Sequence, residues 1–486
     1  MNPVVSAFGA SRRRPAFLYL PIEIAARELD SKLLIAHFAL RLGMEVLFGQ
    51  KWLMQANIAA LPPGLWIFKT LTPGDSRHME IARAHGNRIA AIDEEMPGLG
   101  EDCGDLRWVS RKALEACDVT FCLGGVHQAA LMRKFPEYQA KYEITGNPRW
   151  DLLRPELRAF YEAEAAAIRR EHGRFILINT NIGLMNSAKS TPEEVIRTLE
   201  RHGKIDLSLA KDRAFIDYIR DFESRNLAAC MALIPILADA FPDHRIVLRP
   251  HPTEKTETYA AALAGNPRAI LAASGSAAPW ILASEALVHT SCTTGTEAFA
   301  LGKPSITYQT LDSPRLSYFL SNSLNHAARS NEDVVSLLRR VLALDGAPAL
   351  AYPQAMHETF HRFFAAQEGA FASERIAIAA GRRLGLAAPD ILPGDRALWR
   401  PGPRYRFERR STAYQQQLFP DMDASVIADR LGEIADILGH ERSVSVVKCG
   451  EGQYHLHDAR LERPEPVRRR SSWFVDWLRP QVREAG

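Results

Sequence analysis

The chain has 486 residues, of which 47% are hydrophobic and 24% charged, a balance typical of a soluble globular protein long enough for two or three domains. Sixty Lys and Arg against 57 Asp and Glu give a formal charge of +3, too balanced for a dedicated nucleic-acid binder. Six scattered cysteines without a CxxC pair argue against a disulfide framework and a structural zinc site, and fit a reducing cytoplasm. The N-terminal MNPVVSAFGASRRRP lacks the layout of a secretory signal. The best apolar run, Leu227 to Leu237, is too short to span a membrane and reads as a buried helix.

Taken in order, Ala16 to Pro21 predicts a buried strand and Glu28 to Leu42 a helix ended by Gly43. The unit then repeats: strands at Glu45 to Phe48, Leu65 to Lys69, Arg88 to Ile92 and Val119 to Leu123, with helices at Trp52 to Leu61, Asp75 to His85 and Ser110 to Ala116. Strands alternating with helices predict a parallel sheet covered on both faces. Ligands in such sheets sit beyond the carboxyl ends of the strands, which directs attention to the residues after each strand.

After Ile92 come Asp93, Glu94 and Glu95, three carboxylates suited to act as general base on a hydroxyl or as nucleophile on a sugar carbon. The alternative is a solvated acidic loop. Gly124 and Gly125 after Leu123 permit close backbone approach by a substrate or a turn, and His127 reads as a surface or capping residue. ITGNPRWD (144–151) ends the first series and a bridging helix, Glu156 to Glu171, follows.

Phe175 to Asn179 begins a second series and exits into Thr180, Asn181, Ile182 and Gly183. Residues 187–211 are polar and irregular in pattern and read as a flap, before a long helix from Asp212 to Phe241. The strand Arg245 to Leu248 runs into Arg249-Pro250-His251-Pro252, where the prolines enforce an extended chain that turns Arg249 and His251 the same way, towards an anion. Ala286 to His289 is a strand, followed by the hydroxyl-rich turn Thr290, Ser291, Thr293, Thr294, Gly295 and Thr296 and a helix from Glu297 to Leu301 stopped by Gly302 and Pro304. Unpaired N–H groups and hydroxyls at such a turn suit a phosphate, although an ordinary capped loop has the same look.

Two Rossmann-like series joined by a bridge resemble the GT-B architecture, and the motifs resemble those of bacterial transferases that use CMP-activated acidic sugars, the sialyl- and Kdo-transferases. Asp93-Glu94-Glu95, His251-Pro252 and the Thr290-Ser291, Thr293-Thr294 pairs carry this likeness. DEE, TGNPRxD, RPHP and TSxxGxEA…GKP occur in this order over about residues 15–435, similar to surface carbohydrate biosynthesis proteins. TGNPRxD and the Ser/Thr-Gly-Glu turn are also similar to those of CDP-glycerol phosphotransferases.

The resemblance implies an α/β, GT-B-like fold: an acceptor-side domain over 1–155, a nucleotide-sugar domain over 156–350, and crossing helices with a basic extension over 351–486. It implies transfer from a CMP-linked donor to a glycan or lipid-linked glycan acceptor in the cytoplasm, with no nucleic acid and no cofactor. Asp93 or Glu94 and His251 take catalytic roles, with Asp93 favoured as the shorter carboxylate nearest the strand end. Asn181, Arg249, Thr290, Ser291, Thr293, Thr294 and Gly295 hold the phosphate, and Glu297 the ribose. Glu95, Gly124 and Gly125 lie on the acceptor side. Asp421-Met422-Asp423 reads as a helix cap, so no metal is invoked. The Arg-rich end, with Arg468 to Arg470 beside Trp473, Phe474 and Trp477, suits the inner face of an anionic membrane, or packing on a protein surface. A nucleotide-sugar 2-epimerase, a CDP-glycerol-type polymer transferase and a non-catalytic glycan-assembly scaffold stay open as alternatives.

Overall fold

The structure is a computed structural model and describes residues 16–94, 106, 108–201, 205–311, 319–344, 350–386, 399, 402 and 412–461. Six strands open the chain: β1 (Ala16–Ile22), β2 (Met44–Gln50), β3 (Leu65–Phe68), β4 (Arg88–Ile92), β5 (Val119–Cys122) and β6 (Tyr142–Ile144). A second set follows: β7 (Phe175–Asn179), β8 (Arg245–Arg249), β9 (Ala269–Leu271), β10 (Ala286–His289), β11 (Ser305–Tyr308) and β12 (His326–Ala328). The last two are β13 (Val444–Gly450) and β14 (Gln453–Asp458). β1, β3, β7 and β10 are buried along their whole length, as near-continuous apolar runs covered on both faces must be.

The second sheet runs β12-β11-β10-β7-β8-β9, all parallel, with strands leaving in both directions from β7. That is the doubly wound dinucleotide-binding order, and its crevice falls between β7 and β10. The first sheet runs β13-β14-β2-β1-β3-β4-β5-β6, and its order reverses between β1 and β3. The two-domain, GT-B-like α/β architecture expected from the sequence is present.

Side-chain alternation ties the halves together. Ile176 and Ile178 of β7 face a core with Leu233, Ile234 and Leu237 of the Ala210–Ala240 helix. Phe175 and Leu177 face the other way, into a core that continues through Trp280 and Phe299 to the first sheet. The chain then crosses back. The Ala372–Arg383 and Ala424–Ile437 helices both pack on the Ala25–Arg41 helix. The first-turn amides of Ala372 and Ser373 donate to the buried Asp151 carboxylate at 2.9 and 2.8 Å.

Three features differ from the sequence reading. Residues 187–211 contain a helix, Pro192–Arg201, opened by Thr191, whose Oγ1 accepts from Glu194 N while Glu194 Oε2 accepts from Thr191 N. Its Ile196 joins Leu184, Ile205 and Ile216 in a small separate core. Near the C-terminus, β13 and β14 form an antiparallel hairpin, and β14 pairs with β2 to extend the first sheet. Asp421 is no helix cap: it accepts from Gly452 N and Lys448 Nζ at 2.8 and 2.7 Å, while Asp423 stands at the N-cap of the Ala424–Ile437 helix without a side-chain cap bond. No helix among the described residues is long and apolar enough to cross a membrane. The Arg- and Trp-rich segment from 462 onwards lies outside the described residues.

Candidate functional site

The strand exits β4, β7, β8 and β10, the Pro148–Asp151 turn and the first turns of the Ala25–Arg41 helix surround a cavity of about 360 Å³. It lies between the two sheets, where the switch-point rule places a ligand. Asn179, at the end of β7, lines it with a buried Oδ1 that has no hydrogen-bond partner among the described residues.

The second-domain wall is built on the β10 exit. Ser291 is held at φ 52°, in the left-handed region that non-glycine residues rarely adopt. The helix then begins at Thr293, one turn earlier than the sequence suggests, so Glu297 lies in its second turn. Its N-cap, Cys292, makes no side-chain cap bond, which leaves the N-terminal turn and its partial positive charge directed at the cavity. Ser291, Cys292, Thr293, Thr294 and Glu297 line the cavity, whereas Thr290 and Gly295 do not. Thr290 is buried, and Gly295 serves packing: a Cβ there would lie 2.2 Å from Nε2 of the buried His289. His289, read from the sequence only as the end of the strand, accepts Cys292 N at Nδ1 (3.2 Å) and fixes this turn from below.

His251 presents its Nε2–H to the cavity. Its Nδ1 accepts from Thr253 N at 3.3 Å and lies 2.8 Å from Thr253 Oγ1, so the ring proton resides on Nε2. Burial, helped by Arg27, Arg149 and Lys69, lowers its pKa to about 4 and keeps the imidazole neutral. The loop is organised by Glu254, which sequence reasoning missed. That buried carboxylate accepts from His251 N (3.1 Å), Ile182 N (3.0 Å), Thr180 Oγ1 and the Tyr259 hydroxyl, and so ties the β8 exit to the β7 exit. Asn181, beside Thr180, lines the cavity and is half-buried. Arg249 departs from expectation. Although it reaches the cavity edge, its guanidinium donates to the carbonyls of Ser274 (2.6 Å), Gly275 and Ala272, and so braces the loop after β9.

On the facing wall, Glu94 lines the cavity and Asp93 does not. Asp93, favoured from the sequence, is turned into the interior and accepts from Trp108 Nε1 at 2.8 Å. A strand exit alternates sides residue by residue, so adjacent acids in DEE part company. Glu95 lies outside the described residues. Glu94 has Lys32 Nζ at 3.9 Å on one oxygen and Arg149 Nη1 at 3.8 Å on the other, where Asn147 Nδ2 also approaches to 3.5 Å. Arg149 Nη2 continues to Glu297 Oε1 at 2.5 Å, spanning the cleft from the first domain to the second. Burial works against its charge, but Glu297 and Glu94 outweigh that and raise its pKa.

This chain of contacts explains TGNPRWD. Asn147 Oδ1 caps Arg149 N at 3.0 Å, Arg149 joins the two walls, and Asp151 holds the crossing helix. The motif was visible in the sequence, but its Arg149 had no assigned role. Gly124 and Gly125 do not line the cavity. A Cβ on Gly124 would lie 2.2 Å from Phe363 O, so this glycine admits the crossing segment rather than an acceptor. His127 is buried, not on the surface, and accepts Leu123 N at 3.2 Å as a cap. Among the described residues, no three His, Cys, Asp or Glu side chains converge as a metal site.

The cavity therefore sets a helix N-terminus flanked by hydroxyl side chains opposite the Glu94 carboxylate. No protein-family model matches this sequence, and no curated protein matches it. Among solved structures, the chain is similar to the wall teichoic acid polymerase TagF, at 12% identity over 76% of this chain and 89% of that one, with a TM-score of 0.47. It is also similar to Methanocaldococcus jannaschii UDP-GlcNAc 2-epimerase in complex with UDP-GlcNAc and UDP, at 10% identity over 76% and 100% of the chains (TM-score 0.47). A third is MnaA of S. aureus in its UDP co-structure, at 10% identity over 77% and 98% (TM-score 0.43).

Proposed function

We propose that this chain transfers an acidic, nonulosonic-type sugar from a CMP-activated donor to a hydroxyl of a surface glycan or lipid-linked glycan. The observation that carries the reading is one cavity with an uncapped helix N-terminus, two threonines, Ser291 and the His251 Nε2–H on one wall, and the Glu94 carboxylate on the other. The donor phosphate sits at the N-terminal turn of the Thr293–Ala300 helix. As the bond from the anomeric carbon to phosphate oxygen breaks, its electron pair stays on CMP, and the helix terminus and the His251 donor stabilise that charge. The acceptor oxygen forms the new bond to the anomeric carbon and its proton passes to Glu94.

Glu297, held on one oxygen by Arg149, keeps the other for a ribose hydroxyl. The cytidine assignment follows the sequence resemblance. A cytoplasmic setting near the inner membrane face goes with a nucleotide donor and with the Arg/Trp-rich C-terminal sequence. The test is release of CMP from CMP-Kdo, CMP-sialic acid and related donors, with and without acceptor glycan. Acceptor-dependent CMP release is expected. Interconversion of UDP-sugars without acceptor, and no CMP release, would overturn the proposal in favour of an epimerase.

A further inference from the structure

Three arginines line the cavity, and two of them are committed. Arg149 is shared between Glu94 and Glu297, and Arg249 is spent on three carbonyls. The cavity's carboxylates are likewise taken. Asp30 is paired with Arg430 and approached by the Tyr161 hydroxyl at 3.4 Å, and Glu94 and Glu297 hold Arg149 between them. Arg27, in the first turn of the Ala25–Arg41 helix, lines the same cavity, yet its guanidinium has no hydrogen-bond or ion-pair partner among the described residues. Asp30, one turn further on, does not serve it. Arg27 belongs to the first domain, whereas the helix terminus at Thr293 belongs to the second, and its charge acts on His251 across the cleft.

A half-buried guanidinium on the cavity wall, with no ion-pair partner among the described residues, keeps its donors open to a bound anion. We infer that Arg27 holds a second anionic group of the donor, beyond the phosphate at the Thr293 helix terminus. This rests on the glycosyl-transfer reading and deepens it by assigning Arg27 as the residue that reads the donor's second negative charge. The planar fork of an arginine suits a carboxylate or a phosphate oxygen pair. Two sources fit that chemistry: the carboxylate of an acidic sugar, or a second phosphate.

Calorimetry with CMP, CDP and CMP-N-acetylneuraminate on the full chain, as wild type, Arg27→Gln and Arg27→Lys, separates them. If the carboxylate is the partner, Arg27→Gln weakens CMP-N-acetylneuraminate binding about ten- to a hundredfold and leaves CMP within about twofold. Arg27→Lys recovers only part of the loss, because an ammonium cannot make the bidentate contact. A selective loss for CDP instead identifies the second phosphate. Equal weakening of all three ligands, or of none, overturns the inference. A wild type that binds no cytidine ligand defeats the underlying reading, whereas a wild type that binds them and a variant that matches it defeats this inference alone. Thermal melting of both variants, expected to match wild type for a half-buried side chain with no partner, checks that the fold is intact.

Discussion

Gly295→Ala should injure the phosphate corner through His289. The added Cβ would lie 2.2 Å from His289 Nε2, 2.5 Å from Cε1 and 2.8 Å from Cδ2. An ordinary contact needs about 3.4 Å, so ring and helix must separate by about 1.2 Å. The ring is fully buried and bonded to Cys292 N, which leaves the Thr293–Ala300 helix as the part that shifts. Overpacking of this kind costs about 1–3 kcal/mol. With an unfolding entropy of about 2.1 cal/mol/K per residue over 486 residues, each kcal/mol shifts melting by about 1 °C, so melting should fall by about 1–3 °C. A helix terminus displaced by about 1 Å loses much of its hold on phosphate, so CMP affinity should drop about tenfold and turnover about a hundredfold. Gly125→Ala is the control, because a Cβ there meets nothing within 4 Å. Melting curves and CMP calorimetry on both variants check this. Wild-type melting and wild-type CMP affinity in Gly295→Ala would refute the reasoning.

Glu94→Gln should lower turnover by about 10²–10⁴ while donor affinity stays within a fewfold. Asp93→Asn should retain most turnover, because its carboxylate is engaged by Trp108 and does not reach the cavity; measured rates in the reverse order would reassign the base. Acid should destabilise the fold through buried histidines. Burial lowers His251 and His37 to about 4 and His127 and His289 to about 3, so the unfolded chain binds protons that the folded chain refuses. Their contribution is present above pH ~6.5 and is lost as pH falls towards 4, with each site contributing at most about 1.4 kcal/mol per pH unit. Melting temperatures that stay level from pH 7 to 5 would contradict this.

The parallel sheets were legible because each buried strand is a short apolar run between helical patterns, as in AFLYLP and FILIN. The turn after β10 that lines the cavity was legible from its hydroxyls. Its helix was misjudged by one turn, because Thr293, Thr294 and Gly295 are weak helix formers that tertiary packing on His289 overrides. The split between Asp93 and Glu94 depends on which way each side of the strand exit faces, which three identical-looking acids do not reveal. Arg149 and Glu254 act through residues distant in the chain, 148 positions for Arg149 to Glu297 and 74 for Glu254 to Thr180, and no local pattern marks such pairs. The β13–β14 hairpin does alternate in sequence, but its neighbour is β2, some four hundred residues upstream by ~3.3 Å steps of chain that say nothing of destination.

That hairpin also sets the order of events at the ribosome. β2 is synthesised early, and one of its two edges is satisfied at once by β1. The other waits for Gln453–Asp458, which at about 5–20 residues per second emerge roughly 20–80 s later. Throughout that interval the nascent first domain carries an open strand edge, the feature most prone to pairing with another chain. Synthesis of this protein should therefore depend on a chaperone that shields residues 44–50, and fragments ending before residue 444 should aggregate even though every cavity-lining residue is already present.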